Sequence, residues 1–192
     1  MKIPLFPLET VLFPGGALPL RIFEPRYLDM VSDCMKSESG IGVILIKKGK
    51  EAGLAAKTHD IGTMSFISYW HKRNDGMLGI TLKGEQRFRV LSTEVKENQL
   101  TLAEIELLPK LEGLAAKDDA RQFIDLLKQI IAQLEPPFTT MEKYYDDLEW
   151  VSARLIELLP LPLNEKQDML NMSCVDERMG NLNSLLAAMK II

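Results

Sequence analysis

Two cysteines, two histidines and many carboxylates are the groups with which this chain could do covalent or metal chemistry. A catalytic thiol needs an imidazole beside it, and only His59 and His71 are there to serve Cys34 or Cys174. No Cys-x-x-Cys spacing occurs, so both are expected to be reduced, buried thiols. Four scattered His and Cys residues are too few for a nitrogen–sulfur metal site. Asp118-Asp119 and Asp146-Asp147 are paired carboxylates, but each stands where a helix should begin. There a carboxylate caps backbone N–H groups and meets the positive end of the helix dipole. Gly49-Lys50-Glu51 lacks the upstream glycine and the following Ser/Thr of a phosphate-cradling loop, and no Gly-x-Ser-x-Gly elbow is present. Neither catalysis, nor a cofactor, nor a metal is expected.

Binding chemistry fares better. Tyr69-Trp70 followed by His71-Lys72-Arg73 sets rings beside cations, the combination on which single-stranded nucleic acid stacks. Yet the cluster is short, and the chain carries a net charge of -4, which leaves no large basic footprint. A solvated hairpin end explains these residues better, and Lys47-Lys48 with Lys50 reads as a solvated turn. The alternative use of aromatic and proline side chains is an apolar groove for an extended peptide. Phe13, Pro14, Phe23, Tyr27, Tyr69 and Trp70 are the candidates for such a groove. The competing role for the segment around the first four is to define the fold, with Phe6, Leu8, Val11, Leu12, Leu20 and Ile22 in the core and Glu24, Arg26 and Tyr27 pinning a helix start. Trp150 opens a helix and is expected in packing, and most of the ten methionines are expected as core filling.

These side chains need a framework. The apolar share of 46% against 26% charged is that of a folded globular chain, large enough for a core without staples. No apolar run nears the ~20 residues of a spanning helix. Prolines at 4 and 7 stand where a secretion signal needs an apolar helix, so a cytoplasmic protein is expected. Residues 1–112 carry a net charge of +1 and residues 113–192 of -5, and the pattern changes at the same place. The first part alternates short β-rich runs with glycine and proline: Ile41 to Ile46, Thr63 to Trp70, Met77 to Leu82, Arg87 to Leu91 and Leu100 to Leu107. Asp75-Gly76 marks a hairpin turn and Lys96-Glu97-Asn98 another. Pro4, Pro7, Pro14 and Pro19 argue against a continuous central strand at the N-terminus, which should run extended, turn at Pro14-Gly15-Gly16 and return as Leu18 to Phe23. Pro25 to Ser37 is the exception, a helix with Leu28, Val31 and Met35 as its stripe. The second part shows apolar stripes at Ala120 to Leu134, Leu148 to Leu159 and Met179 to Met189. Thr139-x-x-Glu142 and Asp146-x-x-Glu149 are candidate capping boxes, and Asn164-x-x-Gln167 opens a short helix through Met172. The expectation is an α+β chain: a β-rich subdomain over 1–112 and a helical bundle over 113–192.

The run Ile3-Pro4-Leu5-Phe6-Pro7-Leu8-Glu9-Thr10-Val11-Leu12-Phe13-Pro14-Gly15-Gly16-Ala17-Leu18-Pro19-Leu20-Arg21-Ile22-Phe23-Glu24-Pro25-Arg26-Tyr27 closely resembles the start of the Lon protease N-terminal, substrate-binding domain. Gly62-Thr63-Met64, Asp75-Gly76 and Gly84-Glu85-Gln86-Arg87-Phe88-Arg89-Val90 follow in that family's order. Trp150 to Pro162, Glu165-Lys166-Gln167 and Met169-Leu170 are similar to its helical half. The resemblance implies a PUA-like pseudobarrel with one embedded helix, then a helical bundle. It implies binding of unfolded or extended polypeptide segments, in connection with a proteolysis system. With the chain ending at Ile192 there is no room for the ATPase and Ser-Lys protease modules of full members, so a free-standing, non-hydrolysing member is expected. Because PUA-like folds include RNA binders, an RNA-binding module is the alternative reading, and a small-molecule pocket the third. Weak self-association would raise avidity for weak segments.

Overall fold

A computed structural model describes residues 1–115 and 120–191. The chain forms two compact units, Met1–Pro109 and Lys110–Ile192. The first contains strands β1 (Lys2–Leu8), β2 (Ala17–Ile22), β3 (Ile41–Lys48), β4 (Lys57–Thr58), β5 (Ile61–Lys72), β6 (Leu78–Val95) and β7 (Thr101–Leu107), with helix α1 (Pro25–Ser37) between β2 and β3. The second contains α2 (Arg121–Ala132), α3 (Leu148–Leu158), α4 (Leu163–Asn171) and α5 (Val175–Ala188). Among the described residues no helix is long and apolar enough to cross a membrane.

Strand order β1-β7-β6-β5-β3 closes on itself because β3 also pairs with β1, in parallel, so the sheet is an α+β pseudobarrel. The closure explains how β1 tolerates two prolines. Its first half pairs with β7 (Pro4 opposite Leu102) and its second with β3 (Pro7 opposite Ile44). Each half therefore has one free side, where a missing N–H does no harm. The expectation that prolines bar a central strand here is corrected in that sense. β1 is apolar on both faces because both are covered. Ile3 and Leu5 join Ile44, Phe88, Ala103 and Ile105 inside the barrel. Phe6 and Leu8 join Tyr27, Met30, Val31 and Cys34 beneath α1. The buried stripe of α1 is thus Tyr27, Met30, Val31 and Cys34, while the expected Leu28 and Met35 point to solvent. Helical spacing fits both sets, and the aromatic one fills the larger space.

The turn after Phe13 holds Gly15 at φ 74° and is clamped by reciprocal bonds, Gly15 N–H to the Gly84 carbonyl at 2.8 Å and Gly84 N–H to the Gly16 carbonyl at 2.9 Å. A Cβ on Gly84 would strike the Phe13 carbonyl, so β6 approaches this turn as only glycine allows. The chain then returns as β2, which pairs with β6. The runs Met77 to Leu82 and Arg87 to Leu91 are parts of the single strand β6.

In the second unit, Phe123, Leu127 and Ile131 of α2 are buried. The Asp118-Asp119 cap lies outside the described residues. Thr139 to Glu142 starts no helix. The cap of α3 is Asp147, one residue past the expected Asp146, and its carboxylate accepts from the N–H of Glu149 at 2.9 Å. Asn164 lies inside α4, whose cap position is Pro162 without a side-chain bond. The buried face of α5 is Val175, Arg178, Leu182 and Leu186, while Met189 is exposed. Met30 and Met169 are the buried methionines, so core filling is not their general role. Cys34 is buried as expected, but Cys174 is exposed, because it stands at the cap position of α5 where the chain turns outward.

Candidate functional site

β5 and β6 form a long hairpin, with β2 paired along β6 as far as Leu78. Arg73 N–H donates to the Met77 carbonyl at 2.9 Å, and Gly76 at φ 82° makes the turn. A bulge between Ile67 and Tyr69 resets the alternation of β5, and Ser68 Oγ donates to the Thr81 carbonyl at 3.0 Å. After the bulge Trp70 stands opposite Ile80 and Tyr69 opposite Thr81. Paired residues share a face, so Trp70 lies on the side of the Ile80 core. Tyr69 lies on the other side and stacks on His71 with ring centroids 5.5 Å apart. A Cβ on Gly79 would run into the His71 ring, so this glycine makes the bed on which the ring lies.

Between this hairpin and the end of α1 is an open groove of about 310 Å³, with Cys34, Met35, Phe66, Ile67, Tyr69 and Trp70 among its walls and Glu38 and Ser39 at its α1 end. Trp70 and Tyr69 are 57% and 61% exposed, and Met35 and Phe66 stand in the open beside them. Exposed aromatics in this density are unusual for a free surface. Burial pushes the Cys34 thiol up, which makes it a poor nucleophile. Tyr69 and Trp70 are the residues of the expected set that come together here.

The other four lie elsewhere. Phe13 is fully buried, and its removal from the set of accessible residues is a correction with a clear cause: the Gly84 clamp draws it inward. Pro14 is half-buried beside it. Tyr27 is also buried, stacked on Phe6 at 4.4 Å with the Arg26 guanidinium 4.5 Å from its ring centroid. Phe23 is exposed above Tyr27, at a pocket of about 70 Å³, much smaller than the groove beside β5. Arg26 donates to the Gln99 carbonyl at 2.8 Å and pairs with Glu24 at 3.0 Å, which makes this corner a brace. Met35 and Phe66 are groove residues that sequence reasoning missed. Helical spacing puts Met35 on the expected buried stripe of α1, and nothing in the sequence sets Phe66 apart from its neighbours in the strand.

Burial raises the Tyr27 phenol to about 12. The neutral form is favoured in the fold, so its contribution is intact below the unfolded value near 10 and lost as pH climbs towards 12. Melting followed from pH 9 to 11.5 should show Tyr27→Phe losing less stability per pH unit than the parent chain. Parallel slopes would show that the phenol is not held neutral.

Residues 2–188 match the family model of the ATP-dependent protease La (LON) substrate-binding domain. A Lon protease of Anaeromyxobacter dehalogenans (strain 2CP-C) is 26% identical over 196 residues, covering 96% of this chain and 23% of that protein. Protein cereblon of Xenopus tropicalis is 27% identical over 112 residues, covering 57% of this chain and 24% of that protein. The crystal structure of a Lon N-terminal domain protein from Xanthomonas campestris superposes with a TM-score of 0.78 at 31% identity, covering 96% of this chain and 98% of that one. The chain spans about a quarter of the length of the curated relatives it matches.

Proposed function

The chain belongs to the Lon substrate-binding domain family, and from that premise we propose that it binds unfolded or extended polypeptide segments without cleaving them, in the groove between α1 and β5. Its role would be that of an adaptor or recognition factor serving a proteolysis system. The observation that carries the reading is the groove along the β5 edge, lined by the exposed side chains Tyr69, Trp70, Met35 and Phe66. Aromatic anchors at the centre of a concave apolar surface supply most of the affinity in peptide recognition. Among the described residues no group of three or more His, Cys, Asp or Glu could hold a metal ion, and the groove holds no pair of groups set for acid–base work.

The two tryptophans provide the test. Trp70 is exposed, whereas Trp150 is 4% exposed and packed edge-on against Tyr145 with ring centroids 5.5 Å apart. Acrylamide therefore quenches Trp70 selectively, and a carboxymethylated, permanently unfolded protein should protect it saturably. Trp70→Ala should raise the Kd for the fluorescein-labelled form of that protein about tenfold, the loss expected for a single aromatic anchor. Unchanged affinity would remove the groove as the site. Tight binding of single-stranded RNA that collapses as salt rises would favour the nucleic-acid reading instead.

A further inference from the structure

We propose that an extended segment binds β5 as an added strand, paired along Phe66–Lys72 in the place that an N-terminal continuation of β3 would have filled. This rests on the reading above and goes on to name the form of the ligand. The β3–β5 ladder runs from Val43 opposite Thr63 to Ile41 opposite Ser65 and stops there, because the chain has just left α1 through Glu38, at φ 52°, and Gly40. β5 continues for seven more residues, and among the described residues these pair with β6 alone. That strand edge borders the groove, so one ligand meets both unpaired backbone and apolar wall.

The atoms on offer follow from the hairpin. Arg73 and Met77 form a hydrogen-bonded pair, and such pairs alternate along an antiparallel ladder. His71 opposite Gly79 is then the next bonded pair, and Lys72 and Trp70, on either side of His71, turn their N–H and C=O groups away from β6. A partner that satisfies them must present an extended backbone. The other open edge of this ribbon, β2, carries Pro19, a common guard against added strands, whereas β5 has no proline beyond Ser65. Charge sets the polarity of the ligand. Lys72 at the hairpin end and Glu38 at the α1 end make no ion pair among the described residues. The segment that fits is apolar at alternate positions, acidic where it reaches Lys72 and basic where it reaches Glu38.

The probe is a ten-residue peptide of alternating Val and Thr with Asp at one end and Lys at the other. Two versions carry backbone N-methyl groups, each along one of its two edges. The plain peptide should protect Trp70 from acrylamide, and one methylated version should bind at least tenfold more weakly. Lys72→Pro deletes an outward N–H without touching the β6 ladder and should weaken binding about tenfold. Lys72→Ala, which removes only the charge, should weaken it less than threefold. Matched melting curves for the two variants establish that both are folded. Equal binding of all three peptides, or of the two variants, overturns strand addition while leaving groove binding of unfolded protein intact. If neither the peptides nor the unfolded protein binds, both readings fall. Trp70 protection that grows with protein concentration alone, with a doubled mass, gives the edge to a second copy and overturns the proposal.

Discussion

Gly62→Ala is expected to destabilise the first unit by about 3 kcal/mol, near the top of the range for overpacking a core. In a chain of this size that should lower its melting temperature by about 6–12 °C. Gly62 pairs with Phe88 of β6 while its neighbour Thr63 pairs with Val43 of β3, so it sits where three strands of the barrel converge. A Cβ placed there would lie 2.5 Å from the Val43 carbonyl oxygen, 2.8 Å from Phe88 Cζ and 3.0 Å from Ile44 Cβ. The first is backbone. The second belongs to a fully buried ring, and the third cannot move without its strand. None can yield as a flexible side-chain tip would, so β3 and β5 must part, and the Thr63 Oγ1 bond to the Leu12 carbonyl (2.5 Å) is strained with them. Gly180→Ala is the opposite case. It lies inside α5 with nothing within 4 Å of the added methyl group, and should stabilise by about 0.5–1 kcal/mol through helix propensity. Thermal melting of the two variants beside the parent chain decides the matter, and a change of under 1 kcal/mol for Gly62→Ala would mean that the barrel gives way more easily than its contacts indicate.

Gly62 also marks the limit of what the sequence could show. Its place at the start of a strand was legible, because β-branched and aromatic residues run on from it to Trp70. That Phe88 and Val43 would close around it was not, since both contacts are made far along the chain. The same division runs through the candidate site. The exposure of Tyr69 and Trp70 was legible because they stand at the end of a polar, Asp-Gly-closed hairpin, where local sequence alone implies it. Phe13 and Tyr27 have the same chemistry, but distant partners decide their burial, Gly84 for one and Phe6 for the other. Met35 was lost for a related reason. On an amphipathic helix two adjoining stripes can both carry apolar residues, and only the shape of the sheet beneath α1 chooses between them. The open edge of β5 has no sequence signal, because it results from where β3 begins.

The second unit holds the other large effect, and it comes from a charge. Arg178 occupies a core position of α5, between Val175 and Leu182, and is 1% exposed. Its Nε donates to Ser152 Oγ at 3.0 Å, and its Nη2 donates to the Glu149 carbonyl at 3.0 Å and carboxylate at 3.1 Å. The side chain thus ties α5 to the N-terminal half of α3. Burial pulls its pKa down from the ordinary arginine value, and the nearby Glu149 carboxylate pulls it back up. Arg178→Ala should destabilise this unit by about 3–5 kcal/mol, because it leaves Glu149 largely buried and without this cation, besides opening a cavity. Removing both charges is a smaller insult than removing one. Arg178→Met combined with Glu149→Gln should therefore recover part of the loss relative to Arg178→Met alone. Trp150, next to Glu149 on α3, reports the unfolding directly by fluorescence in a urea titration, with Trp70 quenched by acrylamide. If the double variant were less stable than Arg178→Met by the full separate effect of Glu149→Gln, the two side chains would be acting independently. The buried pair would then not be what holds α5 to α3.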